Sequence, residues 1–306
     1  MRTTWGHLIF VGELHMEKKL HQPAMSVDEQ IENLKLNRLV VLDEDYAKSF
    51  LNDVSYFRII KAYSLGLKEK NGFYHEGVTF DQIVSLYLFN CKFRQALFPL
   101  VERIEINLRC RLSNYISSKY GVLAHLDSSI FANHIKRHEQ FIEDIHREII
   151  RNKRSPFIKN FLDNYIDGTV PLYALVEILS FGTLSKFFKN MHNEDKKAVA
   201  SSFGVSFHYL ESWIESIAYM RNVCAHYGRL YNAKLTKSPK LYKCYHADKI
   251  ENYRVFAVLL CLKHLLPNDR HWEEFVDATE ALLQKYPSVN LAKIGFPESW
   301  RTVLLQ

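Results

Sequence analysis

FDQIVSLYLFNCKFRQALFPLVERIEINLRCRLSNYISSK, residues 80–119, contains one proline and no glycine. Its apolar side chains fall at Phe93, Leu97, Leu100, Val101, Ile104, Leu108, Leu112, Tyr115 and Ile116. Those steps, mostly of three and four, trace one face of a helix. So long a stretch without a breaker predicts one very long helix, opened by Thr79 and ended by Gly121. Pro99 is where it is expected to kink or split. A chain built around such an element is not a turn-rich β fold.

The flanking sequence reads the same way. Ser26 followed by Glu29 is a capping-box signature for a helix to about Leu36. Further helices are expected over Glu44–Asn52, Tyr56–Leu65, Ile135–Arg151, Leu172–Met191 with a break near Gly182, Glu194–Phe203, Tyr209–Tyr227, Lys249–Leu266 and Trp272–Lys285. KEKNGFYHEGV, with two glycines, reads as a loop. No strand pattern, repeat or linker stands out, so the expected fold is all-α and one domain. Residues 1–25 read as an N-terminal extension, open to disorder, with Met16 as an alternative start.

Bulk properties narrow the function classes. A net charge of +6 and a pI near 8.9 lean mildly toward anionic partners, short of a dedicated nucleic-acid binder. The five cysteines are widely spaced, without a CxxC, so neither a disulfide framework nor a Cys-rich zinc site is signalled. The apolar run Leu8–Val11 is shorter than a signal-peptide core, and no segment approaches the ~20 apolar residues of a membrane span. A soluble, cytoplasmic protein is expected. Phosphate-binding GxxxxGK[ST] and GxGxxG loops, GxSxG and HExxH are all absent.

MRNVCAHYGRLYN, Met220–Asn232, places Arg221, Asn222 and His226 in an otherwise apolar segment. Asn222 and His226 are four apart and share a helix face. Arg221 and His226 are five apart, about 140° around an ideal helix. Phosphodiester cleavage wants such a set. A histidine moves a proton near neutral pH, and an arginine fork holds phosphate and the charge that grows on it. The alternative is structural, with Arg221 paired to a buried carboxylate and His226 bonded to a backbone group.

VERIEINLR, Val101–Arg109, sets Glu102, Glu105 and Arg109 within a helix sector of roughly 60°. They are either an intrahelical ion-pair stripe or partners for Arg221, since buried carboxylates need partners. LYALVEILSFGTLSKF, Leu172–Phe187, reads as architectural, with a new cap at Thr183 or Ser185 and Glu177 a lone polar side chain. His134 and His138 are spaced as a metal pair would be, without an accompanying acidic or Cys ligand set. The basic run from Arg147 to Arg154 is either solvated surface or a contact for RNA backbone.

Four blocks then line up in order: SVDEQIENLKLNRLVVLDEDYAKSFLNDVSYFRI, TFDQIVSLYLFNCKFRQALFPLVERIEINLRCRL, PLYALVEILSFGTLSKF and LESWIESIAYMRNVCAHYGRLYN. Together they resemble the Abi-like proteins of bacterial abortive infection, the AbiD/AbiF group of the HEPN superfamily. The resemblance implies a HEPN-type helical bundle with additional helices over residues 26–306. It implies that Arg221 and His226 match the Arg and His of the superfamily's RxxxxH ribonuclease motif, with Asn222 the polar residue after the Arg. Glu102, Glu105 and Arg109 match the family's IERIE-x-x-LR block and, with Tyr227, are expected to support the site. Such enzymes cleave RNA without metal or cofactor, leave 2′,3′-cyclic phosphate ends, and pair two units across one site.

The expectation is therefore a homodimeric, metal-independent endoribonuclease of phage defence, restrained by an RNA or protein antitoxin, with no membrane or DNA partner. Arg229, Arg147, Arg151, Lys153 and Arg154 are the expected RNA contacts. Three positions depart from the family pattern: Tyr227 where a second His is common, Tyr231 where Trp is common, and Asn90 where Asp is common. The alternative class is a non-catalytic RNA- or protein-binding helical module.

Overall fold

The structure is a computed structural model that describes residues 23–132, 135–246, 249–267 and 270–306. Most of the expected N-terminal extension, residues 1–22, and His134 of the spaced histidine pair lie outside the described residues.

Helix α1 (Val27–Leu36) starts at the capping box: the Ser26 hydroxyl accepts from the Glu29 N–H, and the Glu29 carboxylate accepts from the Ser26 N–H. Helix α2 (Glu44–Asp53) is capped by Asp43. A π-helical turn, Phe57–Lys61, occupies the centre of the segment predicted as a helix over Tyr56–Leu65. Helix α3 (Phe80–Tyr120) is 41 residues long and runs unbroken through Pro99. A proline inside a helix costs about 3 kcal/mol. Around it Leu97, Leu100 and Val101 are buried, and each such side chain contributes about 2 kcal/mol. Burial outweighs the lost hydrogen bond, so the helix does not split.

The remaining helices follow in chain order: α4 (Ile135–Asn152), α5 (Pro156–Asn164), α6 (Leu172–Ile178), α7 (Phe181–Asn190), α8 (Asn193–Ser202), α9 (Phe207–Ala225), α10 (Val255–Leu265), α11 (Arg270–Lys285) and α12 (Trp300–Leu305). Only isolated β-bridges occur among the described residues, and the fold is all-α. Helix α3 is the central post, flanked chiefly by α6, α9 and α11. Phe93, Leu97, Ile104, Leu108, Leu112 and Ile116 are fully buried along it. Helix α10 is buried nearly all round, as its continuous apolar sequence requires. Among the described residues, no single helix is long and apolar enough to cross a membrane.

Several boundaries differ from expectation. The break in Leu172–Met191 falls at Leu179 and Ser180, not Gly182, and the chain bends there by 109°. Ser180 is the cap, accepting from the Thr183 N–H at 3.1 Å, where Thr183 or Ser185 had been expected. Helix α10 starts only at Val255, six residues later than its apolar run suggested. Helices α5 and α12 were not anticipated.

Two buried polar groups fix the periphery. Asp195 on α8 accepts from Tyr115 Oη at 2.8 Å, Lys119 Nζ at 2.7 Å and Tyr120 Oη at 2.9 Å, which ties the end of α3 to α8. Burial alone would raise its pKa, but Lys119 and the two tyrosines hold it below the usual value. His125, in the short turn Ala124–Leu126, is 3% exposed. Its Nδ1 is buried with no hydrogen-bond partner, while its main-chain carbonyl accepts from His138 Nε2 at 3.0 Å. Burial, with a smaller push from the neighbouring His138, takes the His125 pKa down to about 4. The unfolded chain therefore binds this proton at a higher pH than the folded one. Stability from this group is complete above about pH 6.5 and is lost as pH falls toward 4, by up to about 3 kcal/mol. Urea unfolding between pH 7 and pH 4.5 should show that decline, and His125→Leu should flatten it. An unchanged slope in His125→Leu would assign the acid sensitivity to other groups.

Candidate functional site

Helix α9 carries Arg221 and Asn222 in its last turns and ends with His226 as its C-cap. The end is a Schellman motif. Tyr227 takes the left-handed conformation at φ 57°, its N–H bonding the Cys224 carbonyl at 3.2 Å. The Gly228 N–H reaches the Val223 carbonyl at 2.7 Å. Gly228 is needed for this approach, because a Cβ there would stand 2.7 Å from Val223 Cγ1 and 2.9 Å from the Val223 oxygen. The turn also stops the helix two residues before the predicted end at Tyr227. His226, Asn222 and Tyr227 are exposed, and the His226 ring has no hydrogen-bond partner among the described residues.

Arg221 is held from behind. Its Nε donates to Glu105 Oε2 on α3 at 3.2 Å, while 37% of its side chain remains exposed. Glu105 is buried and also pairs with Arg109 one turn along α3. Arg109 in turn donates to the carbonyl of Val176 in the last turn of α6. A four-member relay thus runs from the end of α6 through Arg109 and Glu105 to Arg221. It uses the architectural block Leu172–Phe187 through its backbone, and Glu177 there is exposed.

Other expected members lie elsewhere. Glu102, only three residues from Glu105, is exposed and lines a groove between α3 and α11. Arg229 is half-buried and donates to the Ala62 carbonyl at 2.6 Å, a strut rather than an open surface group. Arg147 and Arg151 are exposed and pair within α4 with Asp144 at 3.2 Å and Glu148 at 2.8 Å. Lys153 and Arg154 are exposed after α4. No hydrogen bond joins Arg221 to His226 among the described residues. No group of three or more potential metal-binding His, Cys, Asp or Glu side chains occurs among the described residues.

The structure adds residues that motif spacing did not select. Asn90, fully buried on α3, accepts from the N–H groups of Leu230 at 2.7 Å and Tyr231 at 3.0 Å. Its amide donates to the Gly228 carbonyl at 3.4 Å. Arg94, one turn on, donates to the carbonyls of Gly228 at 2.9 Å and Tyr227 at 3.2 Å. Arg58, from the π-helical turn, reaches the same Tyr227 carbonyl at 3.2 Å. The loop after His226 is therefore pinned through its main chain, which sets where the histidine stands. A sequence signal existed: FNCKFR puts a polar pair at i and i+4 inside an apolar stretch.

Tyr227 holds its left-handed φ at a cost of about 1 kcal/mol that glycine would not incur. The residue is 67% exposed, so little burial offsets that strain. Tyr227→Gly is expected to raise stability by about 0.5–1 kcal/mol in urea unfolding. A less stable variant would show that the tyrosine ring contributes to the fold after all.

A family model described as Abi-like protein matches residues 49–232, more than half of the chain, and that span contains Asn90, Arg94, Glu105, Arg109, Arg221 and His226. No curated protein and no solved structure matches the chain.

Proposed function

Because the chain belongs to the Abi-like protein family, we propose that it is an abortive-infection effector of the HEPN type that cleaves RNA through Arg221 and His226 without metal. The observation that carries this reading is the contrast between the two side chains. Arg221 is braced by a buried carboxylate yet keeps part of its side chain in solvent, and His226 is exposed with no internal partner among the described residues. A structural histidine would be bonded to the fold, and this one is not.

The chemistry follows from the groups. His226 takes the proton of a ribose 2′-hydroxyl, the 2′-oxygen forms a bond to phosphorus, and the bond to the 5′-oxygen breaks. The products are a 2′,3′-cyclic phosphate and a 5′-hydroxyl. Arg221 holds the phosphate and stabilises the charge that builds on it. One imidazole cannot remove the first proton and deliver the second in the same step. A second copy of the chain, related by a two-fold axis, supplies the acid. That arrangement also removes the need for Arg221 and His226 to meet within one chain. Asn222, exposed on the last turn before His226, contacts the substrate beside it, and Arg147, Arg151, Lys153 and Arg154 meet the RNA backbone farther out. An RNA or protein antitoxin restrains the enzyme in the cell.

A second reading has one observation behind it. Arg221 does pair with a buried carboxylate, as a purely structural role requires, which would leave a helical RNA- or protein-binding module. The deciding experiment incubates mixed RNA in EDTA with wild type and with Arg221→Ala/His226→Ala and maps the product ends. Cyclic-phosphate ends from wild type alone support the enzyme. Intact RNA bound equally by both proteins supports the module.

A further inference from the structure

Three guanidinium groups gather on the loop that follows His226, and none has a carboxylate partner among the described residues. Arg58 and Arg94 both donate to the Tyr227 carbonyl, each at 3.2 Å. Arg94 also donates to the Gly228 carbonyl at 2.9 Å, and Arg229, the next residue along the loop, to the Ala62 carbonyl at 2.6 Å. Arg94 is only 8% exposed. Arg229 is half-buried, and burial draws its pKa down. Asn90, the polar side chain that shares this loop, is neutral.

Several enclosed cations elsewhere have a carboxylate. Arg109 has Glu105, Lys196 has Glu211 and Arg254 has Glu251. Carbonyl dipoles solvate a guanidinium but do not cancel its charge, and enclosed charges are normally paired. Two arginines that share one carbonyl also repel each other. An anion would offset that repulsion, and Arg58 is the exposed member through which it could be reached. With one terminal nitrogen on Tyr227, the rest of its planar fork remains to grip a phosphate.

We infer that Arg58, backed by Arg94, binds an RNA phosphate beside the one that is cleaved, so that the strand is held from the Phe57–Lys61 turn as well as from α9. This rests on the ribonuclease reading. It makes Arg58 a substrate-binding residue, with Arg94 a positioning residue behind it.

The test uses the full chain carrying His226→Ala, which keeps RNA intact, and a fluorescein-labelled oligouridylate followed by anisotropy across a salt series. Arg58→Gln in that background retains a donor for the Tyr227 carbonyl and removes the charge. It is expected to weaken Kd roughly tenfold and to lower the log–log salt slope by about 0.7, the share of one phosphate contact on a single strand. Arg58→Lys should restore the slope. Arg94 still holds the loop, so the melting temperature should stay that of the parent. Equal affinity and slope with and without the Arg58 charge would overturn this inference alone. Failure of the His226→Ala parent to bind RNA at all would overturn the ribonuclease reading and this inference with it.

Discussion

His226→Ala is expected to lower the RNA-cleavage rate by about 10²–10⁴-fold, the usual contribution of a positioned proton-transfer group, with no loss of stability. The second half of that expectation is what makes the first interpretable. The ring is exposed and makes no hydrogen bond among the described residues, and the helix end uses only the backbone of residue 226. Surface substitutions of that kind stay within about 0.5 kcal/mol. Rates would be measured on labelled RNA in EDTA, and folding by urea titration of the same preparation. Cleavage at the wild-type rate would remove His226 from the mechanism, and a large drop in stability would reassign it to the fold. Arg221→Ala is a less clean probe. It takes from buried Glu105 one of its two cationic partners, so stability and activity should fall together.

Asn90→Ala should give the largest stability loss of any single change in the loop clamp, about 4 kcal/mol. Two buried N–H groups, of Leu230 and Tyr231, lose their acceptor at once. Each unsatisfied buried donor costs about 1–3 kcal/mol, and no water-accessible path relieves the pair, since Leu230 is 1% and Tyr231 6% exposed. Asn90→Asp is the informative companion. It keeps both acceptor bonds and gives Arg94 a counter-charge, giving up only the 3.4 Å bond to the Gly228 carbonyl. It should stay within about 1 kcal/mol of wild type. A urea midpoint for Asn90→Ala equal to that of wild type would mean that the loop is held by Arg58 and Arg94 alone.

The parts of this molecule that were legible in its sequence are those with a period or a local signature. The apolar steps of Phe80–Tyr120 announced α3, and Ser26 with Glu29 announced α1. The stripe of Glu102, Glu105 and Arg109 left an intrahelical ion pair and a partner for Arg221 both open, and Glu105 makes both contacts. The same stripe misled for Glu102. A 60° sector on a helix wheel does not say where the covering helices end, and here the edge falls between Glu102 and Glu105. The six residues of α12 are too few for a period to show, and α5 had only Ser155 and Pro156 at its start to reveal it. The clamp on the loop was least visible. Asn90 and Arg94 meet residues more than 130 positions away, through carbonyls and N–H groups that every residue type carries. Recognition of that kind leaves no residue-specific trace at the far end.

The clamp grips main chain and leaves the Tyr227 side chain facing solvent. The place of that side chain beside His226 is thus fixed by atoms that do not change when the residue does. Substitution at 227 is filtered by tolerance of a left-handed φ and by what the new group does beside His226, not by packing. Evolution can exchange this one component as a tool is changed in a fixed holder, while the scaffold keeps its shape.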